Sequence, residues 1–275
     1  MHQITANVLS RIITPRPRQS HKGTYGRVLL IGGNTTMGGA ILMASRAAVN
    51  TGAGLVVCAT APANQTALHV AVPEALFTSL SDQHAILAQA KKATVVAVGP
   101  GLALTLTNQA LLKKLFKTVT VPLIIDAGAL TILAAHPAFL ATTNAPVIMT
   151  PHQMEWQRLS RIPISEQTPA QNWRMRSRLG GTLVLKGAPT MIYHTDNTVG
   201  QLTVGTPAMA TGGMGDTLTG ILAAFCAQFT SPLKDRVEAA VYLHSALATE
   251  LATTHYVVTP TLLSSQISSF MRRFI

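Results

Sequence analysis

Along most of the chain, short runs of consecutive apolar residues alternate with longer stretches in which apolar positions recur at helical spacing. The runs Arg27 to Ile31, Leu55 to Ala59, Thr94 to Val98, Pro122 to Asp126 and Val147 to Met149 predict strands. Between them the pattern predicts a helix over Gly39 to Asn50, another after Ala59, and a third over Asn108 to Lys117. Strands that read as unbroken apolar runs are those covered on both faces. The expected fold class is therefore α/β, a three-layer α/β/α sandwich around a mostly parallel central sheet. A helix near Gln171 to Leu179 precedes two further runs, Thr182 to Lys186 and Met191 to His194. Their joint, Gly187-Ala188-Pro189-Thr190, has the length and composition of a hairpin, so a few antiparallel strands are expected. Helices over Thr217 to Gln228 and Leu233 to about Thr253 and a final amphipathic segment complete the pattern, and the apolar stretch Val237 to Leu251 is a candidate subunit interface.

Composition narrows the picture. A chain of 275 residues, 48% apolar and 11% charged, has the material for one large core, and a single domain over 1–275 is expected. The polar stretch before Arg27, broken by Pro15, Pro17, Gly23 and Gly26, reads as a lead-in with a short helix within residues 1–21. Lys and Arg total 21 against 10 acidic residues, a formal charge of +11 that favours anionic ligands. The basic residues are dispersed and aromatics make up only 5%, which argues against a nucleic-acid platform. Cys58 and Cys226 sit in apolar runs and read as buried thiols, and no Cys pair has zinc-ligand spacing. No stretch resembles a signal peptide or a bilayer span, so a cytoplasmic protein without membrane contact is expected.

In open α/β sheets ligands bind beyond the carboxyl ends of the strands, so the loops there are searched first. The loop Gly32-Gly33-Asn34-Thr35-Thr36-Met37-Gly38-Gly39-Ala40 lets backbone approach a ligand, yet it matches neither the Walker nor the dinucleotide glycine pattern. Val98-Gly99-Pro100-Gly101-Leu102 is a second glycine turn at a strand end. Asp126, at another, is a ligand or magnesium candidate, with helix N-capping the commoner use of such a residue. His152 follows Thr150-Pro151, with Glu155 three residues on. The strongest local signal is Ala210-Thr211-Gly212-Gly213-Met214-Gly215-Asp216 running into an apolar helix. The backbone amides of Gly212, Gly213, Met214 and Gly215, together with the helix dipole, form an expected anion hole for a phosphate. Asp216 at its mouth is placed to take a proton from an attacking hydroxyl, and capping alone would not call for three glycines ahead of it.

Taken in order, Lys22-Gly23-Thr24-Tyr25-Gly26, Gly99-Pro100-Gly101-Leu102, Asp126-Ala127-Gly128-Ala129-Leu130, Thr150-Pro151-His152, Val184-Leu185-Lys186-Gly187 and Gly212-Gly213-Met214-Gly215-Asp216 resemble the motifs of the ADP-dependent NAD(P)H-hydrate dehydratases of the ribokinase-like superfamily. The similarity runs from about Lys22 to His255, without the epimerase domain fused to some relatives. The resemblance implies a lyase that dehydrates the S epimer of NADHX or NADPHX while ADP becomes AMP and phosphate. It implies that Ala40, Gly101, His152 and Asp216 contact the hydrated dinucleotide, with Asp216 catalytic. Lys186, Gly187, Ala188, Pro189, Thr190 and Gly215 would hold ADP. It further implies magnesium as cofactor, self-association up to a tetramer, and a separate epimerase as functional partner. A ribokinase-like kinase acting on a small molecule such as a vitamin precursor is the alternative reading, since nest and aspartate serve simple phosphoryl transfer equally.

Three departures from the family pattern stand out. Met214 replaces the usual threonine of the anion-hole motif and removes a hydroxyl donor. The stretch after Thr150-Pro151-His152 reads Gln153-Met154-Glu155 in place of Pro-Gly-Glu, and the asparagine-rich approach to the nest has become Val204-Gly205-Thr206-Pro207.

Overall fold

Ten strands form one sheet in the computed structural model, which describes residues 1–275. They are β1 (His2–Ile4), β2 (Arg27–Ile31), β3 (Leu55–Thr60), β4 (Ala75–Ser79), β5 (Val95–Val98), β6 (Leu123–Ile125), β7 (Val147–Met149), β8 (Thr182–Leu185), β9 (Met191–Tyr193) and β10 (Val199–Leu202). Their order across the sheet is β1-β10-β9-β8-β7-β6-β5-β2-β3-β4. Every ladder is parallel except the two made by β9, which pairs antiparallel with both β8 and β10.

Helices cover both faces: α1 (Asn7–Ile12), α2 (Gly38–Thr51), α3 (Gln65–Ala71), α4 (Gln83–Ala90), α5 (Leu106–Thr118), α6 (Ala127–Ala135), α7 (Gln153–Ser160), α8 (Pro169–Leu179), α9 (Met214–Gln228), α10 (Leu233–Leu251) and α11 (Pro260–Met271). Alternation along the strands divides the core. Val28 and Leu30, Val56 and Cys58, and Val95 and Ala97 point to one apolar cluster, with α2, α9, α10 and α11. Leu29 and Ile31, Val57 and Ala59, and Val96 and Val98 point to the other, with α5, α6 and α7. Successive side chains point to opposite faces, so a strand apolar at every position must be covered on both sides. This is the three-layer sandwich that the sequence pattern predicts.

Four features differ from the pattern's expectation. The lead-in holds a strand, β1, ahead of its helix. Strand β4 forms one edge of the sheet, and β10 follows the expected β8–β9 hairpin. The apolar stretch Val237 to Leu251 is not a free face: Val237, Val241, Leu243, Leu247 and Ala248 are all buried in the chain's own core.

The β1 edge is tied to α10 through a buried carboxylate. Glu238, 3% exposed, meets His194 Nε2 at 2.8 Å and His2 Nε2 at 2.9 Å. Burial opposes ionisation of Glu238, but the hydrogen bonds and charges of His194 and His2 draw its pKa below 4.5. A depressed carboxylate stabilises the fold above its unfolded pKa, and that contribution is lost as pH falls through the folded one. Glu238→Ala should therefore cost about 3 kcal/mol at neutral pH, read as a lower urea midpoint, because it strands a buried partner. The gap to the parent should shrink as the pH is taken well below 4.5.

Candidate active site

The sheet reverses its winding between β2 and β5, and the loops after these strands meet at their carboxyl ends. Gly33 donates to the Pro100 carbonyl at 2.8 Å, and Asn34 to that of Gly101 at 2.8 Å. A side chain on Gly101 would come within 3.2 Å of Ala40 Cβ, so these two substrate candidates line one spot at the switch point.

Next along the same edge come the ends of β6, β7 and β8. Asp126 closes β6 and is 1% exposed. Its side chain makes no cap to α6, which corrects the commoner expectation for such a residue. Instead Oδ1 accepts from Lys186 Nζ at 3.1 Å and Oδ2 accepts from Thr219 Oγ1, on α9, at 2.7 Å. His152 and Lys186 are bridged in parallel just beyond β7 and β8. His152 does cap a helix: its Nδ1 accepts from the amides of Met154 and Glu155, and Glu155 Oε2 returns a bond to the His152 amide at 2.9 Å. That reciprocal pair works without the family's proline and glycine.

The glycine run ends in α9. Gly213 is the N-cap at φ +95°, a left-handed conformation that glycine adopts without penalty. The amides of Gly212, Gly213, Met214, Gly215 and Asp216 have no acceptor within the chain, whereas that of Thr217 already bonds the Gly213 carbonyl. Free amides at a helix start attract an anion. A side chain on Gly215 would lie 3.2 Å from Lys186 Nζ, so the ammonium sits against the nest.

Met214 is 6% exposed and belongs to the apolar core, so its backbone alone serves the nest. Met214→Thr should therefore keep turnover within about threefold while lowering stability by about 1–2 kcal/mol, measured by initial rates and urea melts, since it trades buried thioether for a smaller polar group.

Asp216 lies in the first turn of α9 and makes no side-chain hydrogen bond to cap it. Burial, reinforced by the Asp126 carboxylate, pushes its pKa from 3.8 up to about 6; Lys186 pulls against this and Glu155 adds to it. Burial works against the charge on Lys186, but Asp126, Glu155 and Asp216 outweigh it and hold the ammonium above its ordinary value. The result is a base near neutrality beside a fixed cation and a ring of free amides. That set can deprotonate a hydroxyl and stabilise charge on a phosphoryl group.

A cleft of about 960 Å³ opens from this point between the β8–β9 turn, the segment after β10, and α9 with α10. All six nucleotide candidates, Lys186, Gly187, Ala188, Pro189, Thr190 and Gly215, line it, and so does His152. Ala40, Gly101 and Asp216 lie outside its walls. Sequence reasoning missed the far wall, which includes Thr203, Val241 and His244. No local motif marks these residues; the missed strand β10 was the available signal for the first.

Fold and site together define a nucleotide-using enzyme of the ribokinase-like class. The model of the NAD(P)H-hydrate dehydratase family matches residues 28–269, and the chain belongs to that family. A relative from Lactiplantibacillus plantarum, named ADP-dependent (S)-NAD(P)H-hydrate dehydratase, is 47% identical over 276 aligned positions, covering 100% of this chain and 98% of its own. A crystal structure of a ribokinase-like superfamily protein from Enterococcus faecalis superposes with a TM-score of 0.92 at 41% identity, covering 99% of this chain and 96% of that one. The ADP/ATP-dependent NAD(P)H-hydrate dehydratase of Bacillus subtilis, co-crystallised with ATP and Mg²⁺, superposes at 0.87 with 29% identity over 100% of this chain and 99% of its own.

A base with a raised pKa weakens its own fold when ionised. The contribution of protonated Asp216 is fully present below 3.8 and is lost as pH rises through about 6. The two-unit shift corresponds to about 3 kcal/mol, which partial solvent screening reduces to about 1–2 kcal/mol. Asp216→Asn should therefore melt higher than the parent at pH 8, with the difference gone at pH 4, as read by thermal denaturation across that range.

Proposed function

We propose that this protein is an ADP-dependent (S)-NAD(P)H-hydrate dehydratase, a hydro-lyase that returns the S epimer of NADHX or NADPHX to NADH or NADPH as ADP becomes AMP and phosphate. The observation that carries the reading is the carboxyl of Asp216, raised to about 6, next to free amides and the Lys186 ammonium at the head of a nucleotide-sized cleft. Full-length relatives at 47% and 43% identity bear the same name, which favours dehydration over the kinase alternative.

In this mechanism Asp216 takes the proton of the ring hydroxyl, whose oxygen attacks the terminal phosphorus of ADP; the bond to the bridging oxygen breaks and AMP departs. The amides of Gly212 to Gly215 and the Lys186 ammonium bear the charge on the phosphoryl oxygens. Phosphate then leaves the ring carbon, the ring nitrogen supplies the electron pair, and loss of a neighbouring proton completes the double bond. Lys186, Gly187, Ala188, Pro189, Thr190 and Gly215 hold the nucleotide; Ala40, Gly101, His152 and Asp216 meet the dinucleotide.

Magnesium fits this donor set. Glu155 spends Oε2 on the His152 amide and has no protein partner at Oε1, and one carboxylate plus phosphate oxygens is an ordinary way to hold this ion. Bound there, it would shield the diphosphate charge. The same reading carries a self-associating cytoplasmic enzyme working beside a separate epimerase, and no helix of the chain is long and apolar enough to cross a membrane.

Incubation with NADHX, ADP and magnesium should raise NADH absorbance. Asp216→Asn should lower the rate by about 10²- to 10⁴-fold with nucleotide binding kept. In the parent, kcat/KM should fall as pH drops through about 6, because only the ionised carboxylate accepts the proton. No absorbance rise with either ADP or ATP would overturn the assignment.

A further inference from the structure

Strand β3 ends in Thr60, and the short turn Pro62–Asn64 then brings Asn64 against the loop formed by residues 32–40. Asn64 belongs to a connection between β3 and α3, yet it is only 8% exposed. Its Nδ2 donates to the carbonyls of Gly33 at 3.0 Å and Asn34 at 3.2 Å, and to Thr60 Oγ1 at 2.9 Å. Carbonyls only accept, so the nitrogen of this amide is the atom that must face them. Thr60 Oγ1 donates to the Gly33 carbonyl as well, at 2.9 Å, and the Ala61 amide does so at 3.0 Å. The connection after β3 therefore holds two consecutive carbonyls of the loop that follows β2.

The same loop is gripped by its amides. Gly33 and Asn34 donate them to the carbonyls of Pro100 and Gly101, so the Gly101 turn is joined to the backbone that Asn64 holds. Farther along, Asn34 Oδ1 accepts from the amides of Thr36 at 2.8 Å and Met37 at 3.0 Å, which folds the tip back on itself. A side chain on Gly38 would run into the Asn64 amide, so the backbone passes directly against it where α2 begins. Thr35, Thr36, Met37 and Gly39 stay exposed. The bonds thus fix the path of the loop without burying it, which is what a preformed contact surface for a ligand requires.

We propose that Asn64 is a positioning residue for the hydrated dinucleotide, locking the backbone of residues 33–38 against the Gly101 turn so that Ala40 and Gly101 form one preorganised contact surface. A loop ordered before binding loses no affinity to ordering during it. The inference rests on the reading that Ala40 and Gly101 meet the dinucleotide, and it supplies the side chain that holds them together.

The test measures KM for NADHX at saturating ADP, and KM for ADP at saturating NADHX. Asn64→Leu removes the donor and should raise KM for NADHX at least about tenfold, with kcat and KM for ADP within about threefold of the parent. Thr60→Val should shift KM for NADHX the same way by a smaller factor, whereas Thr60→Ser, which keeps the hydroxyl, should stay within about twofold of the parent. That pair reads the same loop should Asn64→Leu fail to fold. A purely structural role would lower the melting temperature and the active fraction, and with it kcat, while KM for NADHX stayed unchanged. That result, or equal rises in both KM values, overturns the proposal. Ala40→Leu separates the two levels. If it raises KM for NADHX while Asn64→Leu and Thr60→Val do not, the dinucleotide site stands and the role of Asn64 falls; if none of the three raises it, the dinucleotide lies elsewhere and both fall.

Discussion

One ammonium among three carboxylates is the constraint around which the site is arranged. Lys186 Nζ is 3.1 Å from Asp126 Oδ1 and also feels Glu155 and Asp216. One positive charge is shared among three carboxylates, and each carboxylate is held differently by its neighbours. Asp126 has both oxygens engaged, by Lys186 and Thr219, and Glu155 has one engaged by the His152 amide. Asp216 has neither engaged by a side-chain cap, and burial, reinforced by Asp126, raises it to about 6. The hydrogen bonds that distinguish them come from the surrounding strands and helices.

The fold supplies those bonds by bringing successive strand ends to one edge. Asp126 follows β6, His152 follows β7 and Lys186 follows β8, neighbours in the sheet. Thr219 reaches Asp126 from α9, so the helix that carries the nest is pinned to the strand edge by a side-chain bond as well as by apolar packing. A displacement of α9 would move the amides, Gly215 and Asp216 together. Rigid support of this kind keeps donors aimed without reorganisation during the reaction.

Sequence pattern revealed the layers, seven interior strands and the nest because each leaves a local trace: unbroken apolar runs, glycine clusters, a strand-to-turn composition. The edge strands and β10, next to one edge, left weaker ones. β4 is half exposed, with Leu76 at 51%, and its run is short of the apolar continuity that marks a buried strand. β10 carries Gly200 and Gln201 between its apolar ends, and β1 has three residues. Partners brought together from distant segments left none. Nothing near Asp126 foretells Lys186 or Thr219, which is why a capping role was the stronger expectation there. His244 sits within an apolar helical run that reads as core, although the residue lines the cleft.

In the proposed mechanism the first turn of α9 serves two ligands at once. Adjacent residues on a helix diverge by about 100° around its axis. Gly215 faces the cleft, where its missing side chain leaves room for the Lys186 ammonium, whereas Asp216, the next residue, lies outside the cleft walls. A phosphate held on the amides of that turn is then reachable from the Asp216 side without the base entering the nucleotide's volume. A longer glycine loop would separate base from amides, and a base at Gly215 would fill the space that the ammonium uses. Under the proposed mechanism the order glycine then aspartate at the helix start puts one residue on each ligand's side of the turn.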